Sequence, residues 1–506
     1  MQGTSGEELM ADITEYRNLI GGEVRPATSG RLLDSVDPST GEVWARIPHS
    51  DPTDAEAAVA GAKAAFPAWA ALPPDARRDH LTQVADLFVE HGEELAALES
   101  RDNGNPLAIM QYVDTQAMKT LWDRKAHETL RASTGRTVPL DATTLGMTLR
   151  EPYGVIAAIV PYNMPVAMMS SKAGCALAAG NTVVIKPPEQ ASAGILRFGE
   201  LVNEILPPGV LNIVSGLGDV GDAFVRHVDV AKVTMTGSSA TAKLIQAAAA
   251  DTLTPAIFEL GGKSPNIVLD DADLDITLKG LTYASIFGFN AGQACVAGSR
   301  ILVQRPVFEE VVERLEAIAK SIVVGDPASP GTSMGPLISQ RHYEKVVAHI
   351  EDGRRETEML FGGRHGAELV PDRPGGYWVE PTLFLAKDNS PRICQEEIFG
   401  PVGVVIPFGT DDEAIALANE SRYGLASGVW GRDMTRIHRY IREIQSGNVW
   451  VNTYLQARHE IPFAGIKESG YGHDEVEDYS REKGVVIAMP WAAAGPSSAP
   501  VVSQLD

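Results

Sequence analysis

The 506-residue chain reads as an α/β protein built from two doubly wound, open-sheet units, and three observations carry that expectation. Short β-branched runs alternate with helical stretches as far as residue 261, and the same alternation resumes from residue 262 onward. The length also allows two to four domains, each large enough to bury a core. Short apolar strands separated by helical segments are the pattern of βαβ units around a parallel sheet.

Taken in order, residues 1–17 read as a loose acidic extension, followed by helical stretches at 54–70 (DAEAAVAGAKAAFPAWA) and 75–100. Segment 128–152 is more polar and strand-turn-like. Strands are predicted at 155–160 (VIAAIV), 182–185 (TVVI), 210–214 (VLNIV), 232–235 (KVTM), 266–269 (NIVL), 301–303 (ILV), 402–406 (VGVVI) and 448–451 (NVWV). A further run, 484–491 (GVVIAMPW), belongs to neither unit, and the end, AAAGPSSAPVVSQLD, has little to bury. The chain shows no fixed-period repeat and no internal linker rich in Pro, Gly or Ser.

Composition narrows the function. Apolar residues make up 44% and charged ones 22%, as in an ordinary globular protein. Against 66 Asp and Glu stand 43 Lys and Arg, a net charge of −23. That balance argues against a nucleic-acid or anionic-membrane binder, since both need positive charge to neutralise phosphates. Cys175, Cys295 and Cys394 are an odd and sparse set without a CxxC pair, which argues against a disulfide framework and for a reducing compartment. The N-terminus has acids where a signal peptide needs a basic segment, and no apolar stretch reaches the roughly 18 residues of a membrane span. A soluble cytoplasmic protein is expected.

Gly216, Gly218 and Gly221 spell GxGxxG after a predicted strand, a dinucleotide-binding pattern at face value. In that fold an acid should follow about 20 residues on to hold the adenosine ribose, yet residues 236–241 read TGSSAT. A glycine-rich strand-to-helix turn is the better reading, and Gly218 can still line a cofactor groove.

Three other segments carry more chemistry. Cys295 lies in FGFNAGQACVAGSR among Gly292, Ala294, Ala297 and Gly298; small neighbours leave a sulfur approachable, although a buried inert thiol remains an equal alternative on local sequence alone. Glu259, in FELGGKSP, lies between Phe258, Leu260 and two glycines that permit close backbone approach. A lone Glu is ordinarily a solvated charge, but this one is a candidate for a partly desolvated base. Asn163, in PYN, follows a strand and precedes Pro165, so on its own it reads as a helix cap.

Together, PYN (161–163), KPPE (186–189), TGS (236–238), ELGGK (259–263), GQAC (292–295), EEIFGP (396–401) and PFAGIKESGYG (462–472) closely resemble, in order and spacing, the NAD(P)-dependent aldehyde dehydrogenase superfamily. The resemblance runs from about Asn18, through DPSTGEVWARIP and RDNGNP, to about Trp491. It implies a Rossmann-like NAD-binding domain (18–127 and 153–261), an α/β catalytic domain (262–471) and a small β arm for oligomerisation (128–152 and 472–495), with tails at 1–17 and 496–506. The last arm strand would add to a neighbouring subunit's sheet, giving a homodimer or homotetramer.

The resemblance also assigns roles. Cys295 would be the nucleophile, with the Asn163 amide and the Cys295 backbone N–H as oxyanion donors. Glu259 would activate the water that hydrolyses a thioester, with Lys172 and Asp474 relaying its proton. The family often has Glu where Asp474 stands. Lys186 and Glu189 would bind the adenosine ribose, and a carboxylate at Glu189 opposes a 2′-phosphate, which favours NAD over NADP. Gly237 and Ser238 would meet the pyrophosphate. Glu397, Phe399 and Tyr162 would line the nicotinamide side, Tyr162 standing where Trp is commoner and Ala242 where Gly is. No metal is implied.

Family-matched tunnel positions are Met164, Ala167, Met168, Ser171, Ala294, Val296, Leu455 and Ala457. Ser171 and Ala457 replace frequent large aromatics, so a wide tunnel for a bulky apolar or aromatic aldehyde is expected. No cation stands among these positions to clamp a carboxylate, although Arg458 is adjacent. Two alternatives stay open: a CoA-acylating enzyme, against which Glu259 argues because acylating relatives tend to lack this base, and a non-catalytic cofactor-binding protein.

Overall fold

The computed structural model describes residues 13–288, 290–456 and 461–489. Its first sheet has eight strands in the order Gly470–Tyr471, Ala256–Leu260, Val230–Gly237, Val155–Ile159, Thr182–Lys186, Leu211–Ile213, Asn18–Ile20, Glu23–Arg25. The five strands between residues 155 and 260 are parallel, and the outer ones are antiparallel additions. Strands Val155–Ile159 and Thr182–Lys186 are apolar almost throughout because helices cover both faces of the sheet. The chain winds outward from Val155–Ile159 to Leu211–Ile213, then returns to place Val230–Gly237 on the other side of its starting strand. Open α/β sheets bind ligands at that reversal, outside the carboxyl ends of the strands.

The second sheet has seven strands in the order Glu358–Phe361, Thr382–Leu385, Val402–Phe408, Arg300–Gln304, Pro265–Val268, Ala426–Trp430, Asn448–Val451. All pair in parallel except Glu358–Phe361. Here too the winding reverses beside the first strand, between Pro265–Val268 and Ala426–Trp430. Segment 261–264 carries the chain from the first sheet into the second, so ELGGK sits at their junction, and the chain returns after Asn448–Val451 to Gly470–Tyr471 on the first sheet's edge. A third, three-stranded sheet pairs Ser480–Ala488 with Thr144–Pro152 and Thr144–Pro152 with Thr137–Asp141.

Every strand predicted up to residue 451 is present, and Ala256–Leu260, Thr382–Leu385 and Ala426–Trp430 add to them. The helix expected over 75–100 is two helices, Pro74–Glu90 and Gly92–Asn103. They part where Gly92 packs so closely on the next segment that a Cβ would lie 2.6 Å from Thr115 Cγ2 and 2.8 Å from the Asp114 carbonyl. The acidic extension is not loose over its last residues: Thr14–Glu15 pairs with Ala45–Arg46 and Tyr16 is buried. The last strand is Ser480–Ala488 rather than 484–491; residues 490 onward, Trp491 included, and the earlier part of the extension lie outside the described residues. Strand Gly470–Tyr471, expected with the second unit, pairs on the edge of the first sheet. Among the described residues no helix is long and apolar enough to cross a membrane.

Candidate active site

Cys295 lies on the irregular loop between a single π-helical turn, Thr282–Ile286, and strand Arg300–Gln304. Three consecutive residues before it, Asn290, Ala291 and Gly292, have φ of 53°, 49° and 70°. This left-handed region is common for Gly, tolerated by Asn and strained for Ala. Gly292 is required for a further reason: a Cβ there would collide with the Gly400 carbonyl, so the GQAC loop is docked on EEIFGP. A Cβ on Gly262 would lie 2.5 Å from the Cys295 carbonyl oxygen, and one on Gly261 would overlap the Glu397 carboxylate. Glu397 Oε1 accepts from Gly262 N at 3.0 Å. The paired glycines of ELGGK thus let three separate segments meet.

The Cys295 side chain is partly exposed and packs with Ala294, Val296 and Ala297 beside Trp450, Leu455 and Phe463. Burial of the sulfur, then the Glu259 and Glu397 carboxylates, push its pKa up to about 12, while the backbone N–H groups of Val296 and Cys295 pull the other way. At neutral pH the resting sulfur is a thiol. Cys175 and Cys394 are buried, and Cys175 Sγ donates to the Asp474 carbonyl at 2.9 Å.

Glu259, near the end of strand Ala256–Leu260, accepts from Thr236 Oγ1 at 2.9 Å, and its Oε2 is 3.6 Å from Lys172 Nζ. Lys172 comes from helix Pro165–Ala178 and also reaches Asp474 Oδ2 at 2.5 Å and Thr234 Oγ1 at 3.1 Å. Asp474 further accepts from Thr234 at 3.1 Å and from the Tyr479 hydroxyl. Burial and the nearby Asp474 charge raise the Glu259 pKa to about 7 against the opposing pull of Lys172. A carboxyl poised there can exchange a proton at physiological pH. The shorter Asp474 does reach Lys172, because Thr234 and Tyr479 fix its other oxygen.

Asn163 closes the turn between strand Val155–Ile159 and helix Pro165–Ala178, where Pro165 occupies the first helical position. It does not cap that helix; its side-chain N–H donates to the Gln293 carbonyl at 2.9 Å, two residues before Cys295. Its stand-alone reading as a cap fails because the amide is spent on a contact 130 residues away.

At the carboxyl edge of the first sheet, Lys186 Nζ lies 2.8 Å from Glu189 Oε2. Burial works to raise the Glu189 carboxyl, but the Lys186 ammonium prevails and holds it below the usual range. Gly237 ends strand Val230–Gly237, and Ser238 caps helix Ser239–Ala249, its Oγ accepting from Thr241 N at 3.2 Å. Gly218 opens helix Gly218–Arg226, and a Cβ there would meet nothing within 4 Å. The GxGxxG turn therefore follows the third strand of the winding, not the first. Tyr162 and Phe399 stand edge to face with centroids 5.9 Å apart. Phe399 has φ 62°, and its carbonyl accepts from His342 Nε2 at 2.6 Å. This donor set suits a dinucleotide: a lysine–glutamate pair for a ribose diol, a helix N-terminus for pyrophosphate, and an aromatic wall beside a carboxylate.

Of the expected tunnel residues, Val296 and Leu455 pack in the cluster beside Cys295. Met164 and Met168 belong to the core of the first unit, with Ser171 one turn beyond Met168 on the same helix. Ala457 and Arg458 lie outside the described residues. The sequence reading missed Trp450 and Phe463 beside the thiol, Thr236 on Glu259, and His342, whose pKa burial lowers to about 4. Phe463 stood within PFAGIKESGYG and could have been found there; a histidine in QRHYEK gave no such signal.

A thiol, a carboxyl tuned near neutrality and a dinucleotide-like donor set, gathered where two open α/β sheets meet, define an enzyme of the cofactor-dependent dehydrogenase class. The aldehyde dehydrogenase family model matches residues 24–485. The chain is 39% identical over 488 residues to phenylacetaldehyde dehydrogenase of Pseudomonas fluorescens, covering 94% of this chain and 96% of that one. It is 38% identical over 488 residues to betaine aldehyde dehydrogenase of Rhizobium etli (96% and 98% covered). Among solved structures, an NAD+ complex of aldehyde dehydrogenase from Bacillus cereus superposes with a TM-score of 0.90 at 38% identity, covering 94% of this chain and 97% of that one. The chain belongs to the aldehyde dehydrogenase family.

Proposed function

We propose that the protein oxidises a bulky apolar or aromatic aldehyde to its carboxylic acid with NAD, by way of a thiohemiacetal and a thioester on Cys295. The observation that carries the reading is the Glu259–Lys172–Asp474 chain, with a base near pH 7, at the junction that also holds Cys295.

Cys295 Sγ adds to the carbonyl carbon as its proton passes to Glu259. The oxyanion so formed accepts from the Asn163 amide and the Cys295 N–H. Losing one such donor typically costs ~2.7–4 kcal/mol. Bound NAD supplies the acceptor for the hydride that leaves the former aldehyde carbon. Lys172, an ammonium, gives one of its protons to Asp474 as it takes the Glu259 proton in its place, and Glu259, again a carboxylate, takes a proton from water, whose oxygen attacks the thioester carbon. The carbon–sulfur bond then breaks, the acid leaves, and the Cys295 thiolate takes from Glu259 the proton that came from water. Lys186 and Glu189 hold the adenosine ribose, Gly218, Gly237 and Ser238 flank the pyrophosphate, and Glu397, Phe399 and Tyr162 hold the nicotinamide side. A carboxylate at Glu189 repels a 2′-phosphate, which supports NAD over NADP.

Met164, Met168, Ser171, Val296 and Leu455 form the tunnel, with Trp450 and Phe463 as aromatic walls, and the family resemblance adds Ala457, outside the described residues; the name of the Pseudomonas relative supports an aldehyde that carries an aromatic ring. The eight-stranded, the seven-stranded and the Thr137–Asp141/Thr144–Pro152/Ser480–Ala488 sheets support a division into an NAD-binding domain, a catalytic domain and an arm, with 470–471 joining the first. Exposed Val138, Leu140, Leu149 and Val486 on the third sheet support a homodimer or homotetramer. The three free cysteines fit a reducing cytoplasm.

A panel of phenylacetaldehyde, betaine aldehyde and acetaldehyde with NAD, with and without CoA, tests the proposal. The expected result is the highest kcat/KM for phenylacetaldehyde and no need for CoA. Preference for acetaldehyde rejects the wide tunnel, a CoA requirement rejects hydrolysis, and silence throughout rejects catalysis.

A further inference from the structure

Four amide side chains that the mechanism above uses only in part converge behind the reacting centre. Asn290 Nδ2 donates to the Asn163 carbonyl at 2.8 Å and to the Gln293 carbonyl at 3.1 Å, one hydrogen to each. Asn105 Nδ2 donates to the same Asn163 carbonyl at 3.1 Å. Asn163 Nδ2 in turn donates to the Gln293 carbonyl. Each of these two carbonyl oxygens has two lone pairs, and both are thereby filled. Gln293 returns the contact, its Nε2 donating to the Asn290 carbonyl at 3.2 Å while its Oε1 accepts from Ile338 N at 3.1 Å. Asn105 is itself fixed, its N–H donating to Asn103 Oδ1 at 2.9 Å and its carbonyl accepting from Ser100 Oγ at 2.6 Å. Asn105, Asn290 and Gln293 are 1–3% exposed, so water offers no substitute partner.

Geometrically, this network ties the PYN turn to the main chain two residues before Cys295. It consumes one of the two N–H bonds of the Asn163 amide on the Gln293 carbonyl, and that fixes the amide plane and hence the direction of the other. We propose that Asn290, with Asn105 behind it, is a positioning residue that sets the orientation of the Asn163 oxyanion donor relative to Cys295. The inference rests on the catalytic reading above and adds to it. Neither residue touches the aldehyde; both act through Asn163. The left-handed φ of Asn290 has the same logic, since it is the backbone turn that carries its amide between the two carbonyls.

The test is a double-mutant cycle on kcat with NAD and the best aldehyde of the panel. Asn290→Gly keeps a residue suited to φ 53° and removes both donors. Asn105→Ala removes one donor without touching the loop. A mispositioned oxyanion donor typically lowers the rate by about 10²-fold. We therefore expect Asn290→Gly to lower kcat roughly 10–100-fold, with KM for aldehyde and Kd for NAD within about twofold, and Asn105→Ala to lower it less. In an Asn163→Ala background either change should cost little more, because its route to the chemistry is gone. A purely structural role would make the losses multiply instead. Multiplicative losses, or wild-type kcat in both single variants, overturn the proposal. If Asn290→Gly does not fold, Asn105→Ala alone in the cycle decides it. Inactivity of the wild-type chain toward every aldehyde would instead sink the catalytic reading itself, so the two failures are distinguishable.

Discussion

Gly262→Ala is the most direct probe of the junction. The φ of Gly262 lies outside the left-handed region, so alanine suffers no backbone strain there and the effect is steric. The new Cβ would sit 2.5 Å from the Cys295 carbonyl oxygen, and 3.3 Å from both Leu425 Cβ and Ser264 Oγ. The obstructing atom is backbone and cannot rotate away. Restoring an ordinary contact of 3.4 Å moves the Cys295 main chain by about 0.9 Å, a displacement of the size that costs about 10²-fold in rate, or ~2.7 kcal/mol of transition-state stabilisation. The assay is kcat and KM with NAD and aldehyde, beside thermal unfolding to show that the fold survives. Gly331→Ala, where a Cβ would meet nothing within 4 Å, controls for the substitution itself. A Gly262→Ala enzyme with wild-type kcat would refute the claim that ELGGK sets the position of the nucleophile.

Glu259→Gln should slow thioester formation, which loses the acceptor for the Cys295 proton, and then stall after about one equivalent of reduced cofactor per site, because the hydrolytic water has no base; full steady-state turnover would remove Glu259 from the mechanism. In the cofactor-free protein, iodoacetamide labelling of Cys295 should rise about tenfold per pH unit from pH 7 to 9, because a thiol pushed up to about 12 is far from its plateau; a plateau near pH 8 contradicts this. Glu189→Gln should improve kcat/KM with NADP relative to NAD, and an unchanged ratio would deny Glu189 its selectivity role. Glu99 and Asp114 are buried together, with burial and then the Asp114 charge raising Glu99, and burial lifting Asp114 to about 7. Carboxyls with folded pKa values above the unfolded ones favour folding below about pH 4 and lose that stability as pH rises through about 7. The Tm should therefore fall between pH 5 and 8, and Glu99→Gln should flatten that fall; parallel Tm profiles would contradict it.

Much of this structure is legible in the sequence, and what escapes has a common cause. Runs such as VIAAIV and TVVI announce buried parallel strands because both faces are covered and no polar position interrupts them. Ala426–Trp430 (ASGVW) gives no such signal. A Cβ on its Gly428 would collide with Asn266 Oδ1 and approach the Tyr454 ring at 3.0 Å, so tertiary crowding demands residues that local strand preference disfavours. Ala256–Leu260 (AIFEL) is hidden by the charge of Glu259, which is held by Thr236 and Lys172 rather than by the sheet.

The site divides along the same line. Cys295 and Glu259 are visible because their neighbours had to be small: the glycines that admit a carbonyl at 2.5 Å from a notional Cβ are written next to the residues they serve. Asn105, Asn290 and His342 are invisible because each bonds a main-chain carbonyl far away in sequence, 58, 127 and 57 residues off. A carbonyl is the same acceptor on every residue, so it imposes no composition on the segment that carries it. Groups that need space around them thus leave a local trace, whereas groups that bond a distant main-chain carbonyl leave none. It follows that the orientation of Asn163 relative to Cys295, which the motif PYN cannot encode, is a property of RDNGNP and of the left-handed turn at Asn290 as much as of Asn163 itself.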